Sequence, residues 1–188
     1  MLQAGMMMVV ALAGADIGAP PPFHPLAHTA QQMDLDTTPG HFSEWKTQDL
    51  EGVNAIRARF RVRYVGKDNR WIGAFNFTLQ NGRSFVRLSI SGMAGKPLLL
   101  VQMQQGSGAA PAADPQPSQM QLDEVADLAI DWDKNGQATF WIKSTDPNSP
   151  LARARVATLD LGGAPATFSV SSSTGELELM SLALGASD

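Results

Sequence analysis

The chain has 188 residues, of which 44% are hydrophobic and 17% charged, with a formal net charge of −4. That length carries one core of ordinary size, the composition excludes a disordered chain, and the charge speaks against a general nucleic-acid binder. Absence of cysteine excludes disulfides, thiolate metal sites and cysteine nucleophiles.

The chain opens on an apolar run, Met6 to Ala15, that ends in Ala13-Gly14-Ala15 before Asp16. This has the shape of a signal-peptide h-region with an A-x-A-like cleavage site, so residues 1–15 read as a signal peptide and the mature protein as periplasmic or secreted. The run is too short to span a bilayer, and no basic residue precedes it, the first being Lys46. Residues 16–41, with Pro20-Pro21-Pro22, Pro25 and Pro39-Gly40, form a Pro-rich lead-in, extended rather than helical. The folded domain is then expected over 42–188.

From residue 55 onward the period is two. In Ile56-Arg57-Ala58-Arg59-Phe60-Arg61-Val62-Arg63-Tyr64, even positions are apolar and odd positions are all arginine. A strand places those arginines on one face; a helix scatters them. Next come Trp71 to Leu79 and Arg83 to Ile90, joined through Asn81-Gly82, a strong hairpin signal whose turn positions favour positive φ. Pro97 to Gln104 follows, and then a low-complexity flexible insertion at 105–118. Val125 to Trp132 and Gln137 to Lys143 form a hairpin across Asp133-Lys134-Asn135-Gly136. Ala152 to Leu161, Ala166 to Ser172 and Glu176 to Leu184 complete about nine strands, and only Leu122 to Asp127 has any helical character. The expected fold class is all-β, an antiparallel β-sandwich.

The segment from Ala126 to Ile142, with Asp131-Trp132 leading into a turn that ends in Gly136 and then Phe140-Trp141, resembles the hairpin of the concanavalin A-like lectin/glucanase superfamily. Gly175 to Leu182 is similar to the last strand of such domains. The resemblance implies a jelly roll over about residues 42–186, with one concave sheet. Glucanases of that superfamily carry carboxylates at alternate positions of a concave strand, as nucleophile and acid, and retaining hydrolysis needs them about 5–5.5 Å apart. The matching strands here, Phe75 to Leu79 and Leu98 to Gln104, contain no acid. Asp131 with Asp133, and Glu176 with Glu178, alternate, but the first pair leads a turn and the second reads as a solvated face beside basic neighbours. A polysaccharide lyase needs Arg and a base. Tyr64 is the only tyrosine and has the apolar parity of its strand, while His24, His28 and His41 lie in or beside the lead-in, far from any Ser or Asp constellation. Calcium accompanies the superfamily, but Asp131-Asp133-Asn135-Gly136 lacks the remaining ligands. No metal and no cofactor is expected.

Arg57, Arg59, Arg61 and Arg63 stand about 6.6 Å apart along one face. Adjacent pairs repel by roughly 0.6 kcal/mol in water, or roughly 2 kcal/mol for the row, so partners of opposite sign are expected. In one arrangement those partners are acids on a neighbouring strand, such as Glu176 and Glu178. In the other, the row joins Arg87 and Arg83 on an open face and binds uronates, sulfates or phosphates. Trp71, Phe75 and Phe77 share one parity, and Thr139 and Trp141 another; such stripes read as core. Trp45, in the polar run His41 to Lys46, is the candidate exposed ring, and Asn76, Gln80, Gln102 and Gln104 can hydrogen-bond hydroxyls.

The sequence therefore reads as an exported, non-catalytic carbohydrate-binding jelly roll whose partner is a glycan, including acidic ones, with Arg57, Arg59, Arg61, Arg63, Arg87 and Trp45 as binding residues. The alternatives are a polysaccharide-active enzyme, a lyase more than a hydrolase, and a structural or protein-interaction domain. No nucleic-acid partner and no membrane span is expected, and no feature sets an oligomeric state.

Overall fold

A computed structural model describes residues 19–26, 31–66, 73–93, 96–107 and 117–188. The expected signal peptide, most of the expected insertion, His28 and Trp71 lie outside them. Among the described residues there is no helix, so none long and apolar enough to cross a membrane. The expected helical turn over Leu122 to Asp127 is a reverse turn running into a strand.

Eleven strands follow one another among the described residues: β1 (Phe23–Pro25), β2 (Gln31–Thr47), β3 (Ala55–Val65), β4 (Ala74–Asn81), β5 (Ser84–Gly92) and β6 (Leu98–Ser107). Then come β7 (Ser118–Gln121), β8 (Val125–Trp132), β9 (Gln137–Ser144), β10 (Arg155–Asp160) and β11 (Thr167–Ser187). All pairings are antiparallel. The fold is an all-β jelly roll, as expected from the sequence.

β11 belongs to both layers. Its first part, Thr167 to Ser173, lies between β2 and β4, and the first sheet continues through β5 and β6 to β7. Its second part, from Gly175, lies between β2 and β3, and the second sheet continues through β8 and β9 to β10. The two segments read from the sequence as separate strands, Ala166 to Ser172 and Glu176 to Leu184, are thus one bent strand. β2 follows it across the bend, so residues 31–41 of the Pro-rich lead-in and residues 42–47 of the domain share one strand. Before the bend the strand alternates, with Leu35 and Thr37 inward and Asp34 and Asp36 exposed.

At the bend Thr174 has φ 55° and is buried, an unfavourable state for a β-branched residue. Gly40 takes up the bend in β2 at φ 82°, where a side chain would be strained. Its N–H donates to Thr174 Oγ1 at 3.2 Å. Beside them the buried Thr37 hydroxyl donates to the Gly175 carbonyl at 2.9 Å and accepts from the Gly175 N–H at 3.1 Å.

The sheets pack face to face through the inward half of each strand. Ile56, Phe60 and Val62 of β3 meet Phe75, Phe77 and Leu79 of β4, and the Phe60 and Phe77 rings lie 5.0 Å apart. The β4–β5 turn differs in detail from the Asn-Gly expectation. Asn81 pairs with Ser84, so the central residues are Gly82 and Arg83, with positive φ (57°) at Gly82 alone. Glycine at the first central position is the mark of a type II′ turn, whose twist suits a hairpin as a type I′ turn does.

Replacing Thr37 by Val keeps its shape and removes the hydroxyl from a buried network. Urea unfolding of Thr37→Val is expected to show a loss of about 1–3 kcal/mol, the cost of leaving buried partners unpaired; an unchanged midpoint would mean that the bend does not depend on this residue.

Candidate functional site

The arginine row lies on the outer face of the second sheet, and every member has a carboxylate partner. Arg57 Nη2 meets Asp131 Oδ1 at 3.0 Å, and its guanidinium lies 4.9 Å over the Phe23 ring. Arg59 holds Asp127 through two bonds, at 2.7 and 3.0 Å. Arg61 and Arg63 share Glu178 Oε2 at 2.7 and 2.9 Å, and Arg63 also reaches Asp123 at 3.5 Å. The acids come from β8 and β11, the strands flanking β3. This is the first of the two arrangements read from the sequence, with Glu178 in the expected role.

The protonation equilibria follow this pairing. Asp127 holds the Arg59 guanidinium above its usual value by hydrogen bonding and charge, and Glu178 does the same for Arg61. In return, hydrogen bonding from Arg61 holds the Glu178 carboxyl below the usual glutamate value. Asp133 is also held low, by N–H groups of its own turn with Gln137 foremost. Its Oδ1 accepts from Asn135 and Gln137, each at 2.9 Å. Asp133 is therefore committed to closing the β8–β9 hairpin, and among the described residues no three acids, histidines or cysteines gather as a metal cluster.

The remaining two candidates lie elsewhere. Trp45 faces inward at the rim of the core, half-buried, with its ring edge-on to Phe168 at 6.1 Å; it is not the exposed ring expected from its polar surroundings. Arg87 lies on the outer face of the first sheet, opposite the face that carries Arg57 to Arg63, so the structure does not gather the six candidates into one site. Arg83 is exposed in the β4–β5 turn, and Gln80 is tied to that turn through Gly82 O at 2.8 Å.

The outer face of the first sheet has a different character. Strand register sets three rows across it: Lys46, Ser169, Thr78, Arg87 and Gln104; Glu44, Ser171, Asn76, Ser89 and Gln102; Phe42, Ser173, Ala74, Ser91 and Leu100. The middle positions are short. Ser89, Ser169 and Ser171 point outward yet are only 7%, 9% and 6% exposed, because longer neighbours rise on both sides. The result is a polar trough. Lys46 and Arg87, three strand spacings apart, flank it at roughly 14 Å. Phe42, 63% exposed, forms one end.

Among the described residues Arg87 has no carboxylate partner. Its Nε donates to Gln104 Oε1 at 2.7 Å, and its guanidinium lies 5.0 Å over the Phe85 ring. Burial pushes its pKa below the usual guanidinium value. A partly desolvated cation on neutral neighbours gains most from an arriving anion. Glu44 is the one acid on this face among the described residues, so the face holds no carboxylate pair of the kind retaining hydrolysis uses.

Sequence reasoning passed over Phe42, although it stands in the same run as Trp45. Period-two parity separates them, since Trp45 lies opposite Val170 of the core and Phe42 opposite outward Ser173. Tyr64 also departs from its expected parity: a register shift between Glu176 and Leu177 sets Tyr64 opposite Glu176 and leaves its ring 51% exposed. Trp141, read as core, is half-buried on the outer face of the second sheet.

No family model matches this sequence, and no curated protein matches it. Among solved structures, the fold is similar to a xylan beta-1,4-xylosidase from Bacillus halodurans C-125, with a TM-score of 0.60 and 9% identity over 82% of this chain and 33% of that one. It is similar to a fructofuranosidase from Schwanniomyces occidentalis, with a TM-score of 0.51 and 13% identity over 89% of this chain and 34% of that one. The chain has the concanavalin A-like fold. It is also similar to the CBM2 module of the evolved Dit of Lactobacillus casei BL23 phage J-1, with a TM-score of 0.50 and 14% identity over 90% of this chain and 82% of that one. This concanavalin A-like domain spans about a third of the length of the two enzymes, and at such identities the likeness is one of fold.

The Glu178 pairing predicts a pH dependence. A carboxyl whose folded value is depressed adds stability that is present above its unfolded value and is lost as pH falls through the folded one. Thermal unfolding of the wild type should therefore weaken as pH drops below the ordinary glutamate value of 4.5. Glu178→Gln should be less stable at neutral pH and flatter over that acid range; parallel curves for the two proteins would refute the pairing.

Proposed function

We propose that this concanavalin A-like domain binds a glycan in the trough of the first sheet, without acting on it chemically, and that Arg87 takes an anionic unit of that glycan. The observation that carries the reading is Arg87 itself, partly buried, oriented by Gln104 and Phe85, and without a carboxylate partner among the described residues. Arg57, Arg59, Arg61 and Arg63, by contrast, already spend their donors on acids.

The rest of the trough suits a sugar chain. Asn76, Ser89, Ser171 and Gln102 offer neutral donors and acceptors to hydroxyls. Phe42 offers a ring to a pyranose face, and Lys46 a second cation. A xylosidase, a fructofuranosidase and a CBM2 module among the similar structures support this at the level of fold. Export belongs to the same reading, with cleavage before Asp16, and mass spectrometry of the protein recovered outside the cytoplasm should place its first residue there.

The test is affinity electrophoresis through gels containing polygalacturonate or a neutral xylan. Retardation by the polyuronate should weaken steeply with salt. Arg87→Ala should weaken it by at least about tenfold, the value of a hydrogen-bonded charge, and Phe42→Ala should reduce binding to both polymers. The double variant Arg59→Ala, Arg61→Ala should bind as the wild type does. Retardation lost in the double variant but kept in Arg87→Ala would move the site to the second sheet and sink this assignment.

A further inference from the structure

Arg87 and Phe42 stand at opposite corners of the trough. Arg87 is on β5 and Phe42 on β2, three strand spacings away and four residues further along the strand direction than Lys46, which shares the row of Arg87. With strands about 4.8 Å apart and a rise of about 3.3 Å per residue, the diagonal between them is roughly 20 Å. It crosses β4 and β11 close to Asn76 and Ser171, whose side chains meet at 3.4 Å and form a low floor. A linked pyranose built from bonds of about 1.5 Å advances about 5 Å, so this path holds about four sugar units.

The charges on the face are not spread evenly about that line. Lys46 falls in the corner away from it. Glu44, directly opposite Ser171, is exposed and flanks the middle of the path on one side, and Ser89, directly opposite Asn76, flanks it on the other. A sugar hydroxyl over Ser171 can donate to the Glu44 carboxylate. A carboxylate in the same place meets a like charge at about 5 Å, which costs roughly fourfold in affinity in water and more where water is displaced. Arg87 on its own favours any anionic chain, and Glu44 opposes charge in the units that follow.

We infer that the trough selects a neutral glycan bearing isolated anionic units over a uniformly charged polyuronate, with Glu44 as the residue that makes the distinction. Arg87 takes the anion, Phe42 stacks on a neutral unit about three positions away, and Glu44 accepts from hydroxyls between them. Specificity of this kind needs a repulsive element as well as an attractive one. The inference rests on the trough being the glycan site.

The experiment is calorimetric titration of the full chain with three oligosaccharides: xylotetraose, xylotetraose bearing one glucuronate on a terminal unit, and tetragalacturonate. The singly charged chain should bind about tenfold tighter than xylotetraose and about fourfold or more tighter than tetragalacturonate. Glu44→Gln should raise affinity for tetragalacturonate several-fold without raising it for xylotetraose, and that gain should shrink as salt is added, a response that a merely structural role would not produce. Tetragalacturonate bound as tightly as the singly charged chain, with Glu44→Gln silent, would overturn this inference and leave the glycan site standing. Binding of tetragalacturonate lost in Lys46→Ala but kept in Phe42→Ala would place the chain along the row from Arg87 to Lys46 and overturn it as well. Binding of none of the three, or binding indifferent to Arg87→Ala, would remove the site itself and the inference with it.

Discussion

Thr174 is held where its side chain disfavours it, and both layers of the sandwich hang on that residue. β11 enters one sheet, turns there and continues in the other, while β2 turns with it. A β-branched residue in the left-handed region costs about 1–3 kcal/mol and survives only where its surroundings over-determine it. Here the surroundings are hydrogen bonds. Thr174 Oγ1 takes the Gly40 N–H, its carbonyl takes the Gly66 N–H at 2.7 Å, and Thr37 and Ser172 close on Gly175. The bend converts one antiparallel ribbon into two stacked faces, and it thereby fixes which residues meet in the core and which face outward.

The two outward faces then diverge through what lies beside each cation. On β3 the neighbours are β8 and β11, which carry Asp127, Asp131 and Glu178. The guanidinium groups are neutralised within the protein, and the row that repels itself in sequence becomes a set of cross-strand pairs. The exposed Arg59–Asp127 pair adds at most about 1 kcal/mol. On β5 the neighbours are β4 and β6, which carry Asn, Thr and Gln but no acid. Identical chemistry in Arg59 and Arg87 thus has opposite consequences, decided by strand order.

That contrast marks how far the sequence could be read. Alternation in Ile56 to Tyr64 located a strand and its arginine face, because parity is a local property. The Phe75 and Phe77 stripe was legible as core for the same reason. Strand order is not local. Which acids flank β3, and that Arg57 and Arg87 face away from each other, follow from pairings between strands far apart in the chain: Arg59 and Asp127 are separated by 68 positions, Arg61 and Glu178 by 117. Local irregularities hid the rest. The register shift at Glu176 turned Tyr64 outward against its parity, and in one polar run Trp45, expected outside, faces the core while Phe42, which drew no expectation, is the exposed ring. Proline obscured β2, whose inward positions alternate as well as those of any later strand once Pro39 is placed at the bend.

The pairing of β1 with the end of β11 brings Phe23 opposite Ser187. The two ends of the folded unit thus emerge side by side, at the edge of the sheet that carries the paired arginines. Phe23, so placed, lies under the Arg57 guanidinium at 4.9 Å, and Arg57 also donates to the Pro21 carbonyl at 3.2 Å, so the first described strand is fastened to the paired face by side chain as well as by backbone.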